Sequence, residues 1–154
     1  MDQRLSLVTL GVASVPAARR FYEKLGWTAS SASQGDDVAF FQLNGMALAL
    51  FGREALMADM ALTADMALTA EAGVPEAKPR FSGVTLAQNL RGPEAVDDLF
   101  ARALAAGATV LKRPESTHWG GYSGYFADPD GHVWEVAHNP FFPLDQHGNL
   151  TLPA

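Results

Sequence analysis

The 154-residue chain contains no cysteine. Disulfides, thiolate metal sites and a cysteine nucleophile are therefore excluded. It has no long apolar run, and neither a signal peptide nor a membrane-spanning segment is visible. The expected compartment is the cytoplasm. No cluster of basic residues offsets the net charge of −6, which argues against a nucleic-acid partner. A Ser-His-Asp set, a phosphate loop and a GxGxxG fingerprint are all missing. Histidine is scarce as well, and none precedes His118. What remains is the length of one domain, large enough for a real core.

The most informative stretch is Trp119-Gly120-Gly121-Tyr122-Ser123-Gly124-Tyr125-Phe126-Ala127-Asp128-Pro129-Asp130-Gly131-His132-Val133-Trp134-Glu135-Val136. It reads as strand, tight turn, strand. Pro129 presets φ, Asp128 caps its own turn and Gly131 can take φ > 0. Asp128 and Asp130 are read as turn-formers rather than acids. The second strand is apolar except for Glu135, a carboxylate that must be hydrated, paired or bound to a cation.

Upstream, residues 5–12 alternate as a strand, and Ser14 and Pro16 open a helix. Its face is Ala18, Phe21, Tyr22 and Leu25, with Gly26 past the end. Asn44-Gly45 predicts a hairpin between strands near 37–43 and 46–52. A further strand is expected over 81–90. Pro93 then starts a helix whose Val96, Leu99, Phe100, Ala103 and Leu104 keep helical spacing up to Gly107. Strands near 108–112, 121–127 and 132–138 follow. The hexapeptide Ala58–Thr63 is repeated at once as Ala64–Thr69, a tandem duplication that lengthens a surface helix.

Strand–helix–strands thus occurs twice. Val8-Thr9-Leu10 matches Val84-Thr85-Leu86, and Gly45 matches Gly131. Together with Pro16 and Phe21-Tyr22-Glu23-Lys24-Leu25-Gly26-Trp27, the terminal run resembles the vicinal oxygen chelate superfamily. That group includes glyoxalase I, bleomycin- and fosfomycin-resistance proteins, extradiol dioxygenases and methylmalonyl-CoA epimerase. The resemblance covers nearly the whole chain. It implies an α+β fold of two βαβββ modules forming an eight-stranded cup, with helices outside. Module 1 is expected over about 1–69, a linker over about 70–80, module 2 over about 81–140 and a tail over 141–154. The resemblance also implies a homodimer, and makes Glu135 the counterpart of the family's last metal ligand.

Strand parity sorts the side chains. With Glu135 inward, the inner face carries Leu7, Thr9, Gly11, Ala47, Ala49, Phe51, Gly83, Thr85 and Ala87. Val8, Leu10, Leu48, Leu50 and Trp134 face the helices. The small inner residues leave room for a ligand. The four metal positions implied by the family read Leu7, Ala49, Gly83 and Glu135. One carboxylate is too few for a catalytic metal, which needs about three protein ligands. The expectation is no metal and no cofactor, with Thr9, Ala49, Thr85, Trp119, Tyr122 and Glu135 as ligand-binding residues. His118-Trp119-Gly120-Gly121-Tyr122 gives either a flexible mouth over flat ligands or a Gly-rich strand entry with two half-buried aromatics.

Three functions are compatible with this. The preferred one is metal-free binding or sequestering of a small, flat, aromatic molecule, as in the bleomycin-resistance branch. The second is an enzyme (lyase, isomerase or dioxygenase) in which Glu135 is a ligand or a general base with a borrowed metal. The third is a non-catalytic module that pairs with itself.

Overall fold

The computed structural model describes residues 5–59, 84–150 and 152. The proposed linker and most of the repeated hexapeptide lie outside them. The chain divides into two compact units.

The first unit contains β1 (Leu7–Val12), α1 (Val15–Lys24), β2 (Val38–Gln42), β3 (Ala47–Gly52) and α2 (Arg53–Asp59). Its sheet has the order β1-β3-β2, with β1 parallel and β2 antiparallel to β3. Leu10, Val12, Leu48, Leu50, Ala39 and Phe41 are buried on one face. Tyr22 of α1 meets Phe41 there, and Trp27 closes an aromatic trio with both. The β2–β3 turn is the expected Asn44-Gly45 hairpin, with Gly45 at φ 75 and Leu43 N–H donating to Met46 O at 2.8 Å. A fourth strand is reduced to the isolated bridges Ala29↔Phe41 and Gln34↔Val38. Serine hydroxyls explain its loss, because Ser33 Oγ takes the Phe40 N–H that a regular ladder would use. Among the described residues the sheets hold seven strands, three and four, and do not close. The short helix α2 runs into the first two residues of the repeat that was expected to lengthen a surface helix. Its Leu56 Cδ2 lies 3.3 Å from where a Cβ on Gly11 would stand, on the face that carries Thr9.

The second unit contains β4 (Leu86–Asn89), α3 (Pro93–Ala106), β5 (Thr109–Ser116), β6 (Tyr122–Ala127) and β7 (Val133–His138), with sheet order β4-β7-β6-β5. This is a complete βαβββ module. Pro93 opens α3, and Gly107 ends it at φ 115 with its N–H turned back to the carbonyls of the last turn. Val96, Leu99, Phe100 and Ala103 bury the apolar stripe, with Phe100 edge-on to Phe126 of β6. β5 is the edge strand and is irregular. Leu111 is an extra residue between the pairs Val110↔Phe126 and Lys112↔Tyr125, and a second shift leaves Arg113 and Pro114 opposite Gly124.

The parallel pairings refine the internal repeat. Thr9 stands opposite Ala49, and Ala87 opposite Glu135. The counterpart of Thr9 is therefore Ala87 rather than Thr85, a shift of two residues that preserves the face. β4 is shorter than its expected strand because Val84 and Thr85 precede it.

The Asp128 turn recurs in the tail. Asp128 Oδ1 accepts the N–H groups of Asp130 and His132, and Oδ2 meets His132 Nδ1 at 2.8 Å. Asp145 accepts in the same way from the N–H groups of His147 and Asn149 and from the Asn149 amide. Gly131 and Gly148 take φ 90 and 83 in the two turns. Asp128 is buried, whereas Asp145 is exposed. Arg91 donates to the carbonyls of Leu144 and Asp145, tying down the second turn. Among the described residues no helix is long and apolar enough to cross a membrane.

Candidate functional site

β7 is buried through Trp134 and Val136 on its helix side and presents Glu135 on the other. The turn at 128–132 fixes the β6–β7 register and sets Tyr125 directly opposite Glu135. The Tyr125 hydroxyl donates to Glu135 Oε1 at 2.8 Å. On the far side, Ala87 of β4 offers no polar group. Among the described residues, Glu135 is thus held by a phenol on one side and faces an alanine on the other. Burial, then the Glu135 hydrogen bond, then the Glu135 charge push the Tyr125 phenol up to about 12.

The loop before β6 builds a wall beside this pair. Thr117 N–H donates to Gly121 O, and Gly121 N–H donates to Thr117 Oγ1. Gly120 takes φ 89 in the turn between them. The Trp119 benzo ring lies back over Gly121, where any Cβ would fall within it. Gly121 is therefore glycine to admit an indole, and the mouth is packed instead of loose. Lys112, Glu115, His118, Trp119, Ser123, Tyr125 and Glu135 surround a pocket of about 260 Å³. Lys112 Nζ is paired with Glu115 Oε1 at 2.9 Å.

A larger cavity of about 540 Å³ lies in the first unit, between Ser14, Pro16, Asp36, Phe51 and Ala55. It is largely apolar and includes none of the expected site residues. The pocket at Glu135 is the better candidate because a hydrogen-bonded carboxylate and an indole converge there.

The expected residues distribute unevenly. Trp119 and Glu135 share the pocket. Thr9 and Ala49 face each other across β1 and β3 in the first unit, Thr9 exposed and Ala49 buried. Thr85 is exposed and off the sheet. Tyr122 lies apart from them. It occupies the helix side of β6, where its hydroxyl donates to Asp97 Oδ1 at 2.9 Å, a bond that raises its pKa. Strand parity is the reason, since Tyr122, Gly124 and Phe126 alternate with Ser123 and Tyr125. Tyr125 is the residue that the sequence reading missed. Counting outward from the Asp128–His132 turn pairs it with Glu135 and would have found it.

The family's metal was tested against these donors. Glu135 has Tyr125 and Ala87 as its lateral neighbours, and the matching position in the first unit is Ala49. His132 is bound to Asp128, and His138 Nδ1 lies 3.1 Å from Leu90 O. Among the described residues no three of His, Cys, Asp and Glu come together. Gly83 lies outside them. Among the described residues, the pocket's potential donors are the Glu115 and Glu135 carboxylates, the Tyr125 phenol and the His118 imidazole, and they do not form the group of about three ligands that an N/O transition-metal centre needs.

Two βαβ-based units of this kind define a glyoxalase-like fold. The chain belongs to the Glyoxalase/Bleomycin resistance protein/Dioxygenase superfamily, whose family profile matches residues 4–136. It is similar to a glyoxalase-related enzyme from Fulvimarina pelagi, with 33% identity, 99% of this chain and 100% of that one covered, and a TM-score of 0.81. A glyoxalase/bleomycin resistance protein/dioxygenase from Nocardioides shares 27% identity over 90% of this chain and 84% of its own, with a TM-score of 0.67. Lactoylglutathione lyase from Agrobacterium tumefaciens shares the fold, at 20% identity, 90% and 96% coverage and a TM-score of 0.62. An uncharacterized protein of Mycobacterium tuberculosis is 51% identical over 41 residues, which are 27% of this chain and 24% of that protein. The chain thus spans about a quarter of the length of the curated relatives it matches.

The Tyr125–Glu135 bond makes a prediction that needs no ligand. A phenol with a raised pKa stabilises the fold below its ordinary value of 10.0, and that contribution is lost as pH rises towards about 12. Phenolate absorbance should show Tyr125 titrating late. Glu135→Gln should bring it part of the way back, since burial is the larger cause and remains. An unchanged titration in Glu135→Gln would mean that the bond does not form in solution.

Proposed function

We propose that this chain binds a small organic molecule at Glu135 without a resident transition metal. The observation that carries this reading is the Tyr125–Glu135 pair, a carboxylate oriented by a neutral phenol, where among the described residues no three metal-ligating side chains gather. The phenol fixes one oxygen and leaves the other to accept from a ligand. Elemental analysis of purified protein, followed by a thermal-shift screen with flat aromatic compounds, tests it. Ligand-dependent shifts without stoichiometric metal are expected.

A second reading is that Glu135 works as a general base on a bound substrate. The directional Tyr125 bond favours it, because catalytic carboxylates need a fixed orientation. Zn, Ni, Fe or Mn near one equivalent, lost in Glu135→Ala, would favour that reading and overturn the metal-free one. Ligand shifts absent along with metal would leave the non-catalytic, self-associating module.

We also propose a homodimer, on the family likeness and on the exposed apolar side chains Phe141, Leu150 and Leu152 of the tail. Light scattering at micromolar concentration should return twice the 16.4 kDa chain mass. A monomer at that concentration counts directly against it.

A further inference from the structure

The charges and surfaces around Glu135 constrain what the pocket takes. Among the described residues lining it, Lys112 is the one lysine or arginine, its ammonium is bound to Glu115, and His118 is the one histidine. The hydrogen-bond partner of Glu135 is a phenol, which orients the carboxylate without pairing it with a cation. With His118 neutral, the described lining carries one positive and two negative groups, in a chain whose net charge is −6. An anionic ligand would be repelled by Glu135, whereas a cation would pair with it.

Trp119 supplies the second constraint. Its benzo ring is laid against Gly121, and the rest of the indole lines the same pocket as Glu135. Because the Thr117–Gly121 bonds close the loop, the ring is positioned before any ligand arrives. A pre-placed indole near a carboxylate suits a planar cation, which stacks on the ring while donating to the free carboxylate oxygen. The volume of about 260 Å³ fits one such ring system.

We infer that the Glu135 pocket selects a planar, cationic ligand of the amidinium, guanidinium or protonated N-heterocycle class, read by Glu135 for charge and by Trp119 for flatness. This inference rests on the metal-free binding reading and adds the ligand's chemistry.

Calorimetric titration tests it with four probes: benzamidine (planar cation), benzamide (planar, neutral), benzoate (planar anion) and cyclohexanecarboxamidine (cation on a puckered ring). Benzamidine should bind best, and benzoate least. Glu135→Gln should weaken benzamidine about tenfold or more, as expected for a charge-assisted hydrogen bond. Trp119→Ala should weaken it about three- to tenfold and erase its advantage over the puckered amidinium. Gly121→Ala, which displaces the indole without removing it, should reproduce the Trp119→Ala effect. Thermal unfolding confirms that each variant is folded. Benzoate or benzamide binding as tightly as benzamidine, through Glu135 and Trp119, would overturn the inference and leave the binding reading intact. Benzamidine binding that is unchanged in both Glu135→Gln and Trp119→Ala would also overturn it. No binding by any probe at millimolar concentration would overturn the inference together with the reading on which it rests.

Discussion

Asp128→Ala is expected to cost about 3–5 kcal/mol of stability, because it orphans two N–H groups and an imidazole that all converge on one buried carboxylate. Asp128→Asn should cost less, since Oδ1 can still accept from both backbone groups. The tail holds the matching control. Asp145 makes the same pattern of bonds, but in the open, and its carboxyl is held below the usual range first by the Asn149 amide and then by the Asn149 N–H. Water can replace the lost acceptor there, so Asp145→Ala should shift the denaturation midpoint far less. Equal losses at the two sites would mean that burial does not set the cost.

Gly124→Ala should be the other strongly damaging change, at about 3 kcal/mol. An added Cβ would stand 2.8 Å from both Pro114 N and Pro114 Cγ and 2.9 Å from Pro114 Cδ. The backbone nitrogen cannot move away without disturbing the β5–β6 pairing. Combining it with Pro114→Ala removes the ring contacts but not the one to nitrogen, so only partial recovery is expected in a denaturant titration. A Gly124→Ala protein as stable as the parent would show that β5 shifts freely against β6.

Much of this was legible in the sequence because its signals are local. Asn44-Gly45, Gly107 and the Asp128 turn act through their own backbone preferences, and each performs its expected role. The helical faces of α1 and α3 were equally plain, because their apolar spacing admits one buried side. The errors lie where a partner strand decides. The Val-Thr-Leu match drew Thr85 into the site, but pairing with β7 chose Ala87. Tyr122 looked like part of the mouth because it adjoins Trp119, but alternation along β6 sends it to Asp97. The reduction of the segment beside β2 to isolated bridges depends on Ser33 competing for one N–H, which no periodicity reveals.

The irregular edge strand has a consequence for how the protein survives in concentrated solution. β5 exposes Val110 and Leu111 at the rim of its sheet, the kind of apolar border onto which a neighbouring chain can add by backbone pairing. The extra Leu111 breaks the even spacing of donors and acceptors that such addition requires. Lys112 and Arg113 follow with charge, and Pro114 has no N–H to offer. The crowding of Pro114 against Gly124 is thus part of a guard against amyloid-like growth, and tolerance of mutation in this strand is limited by solubility as well as by folding.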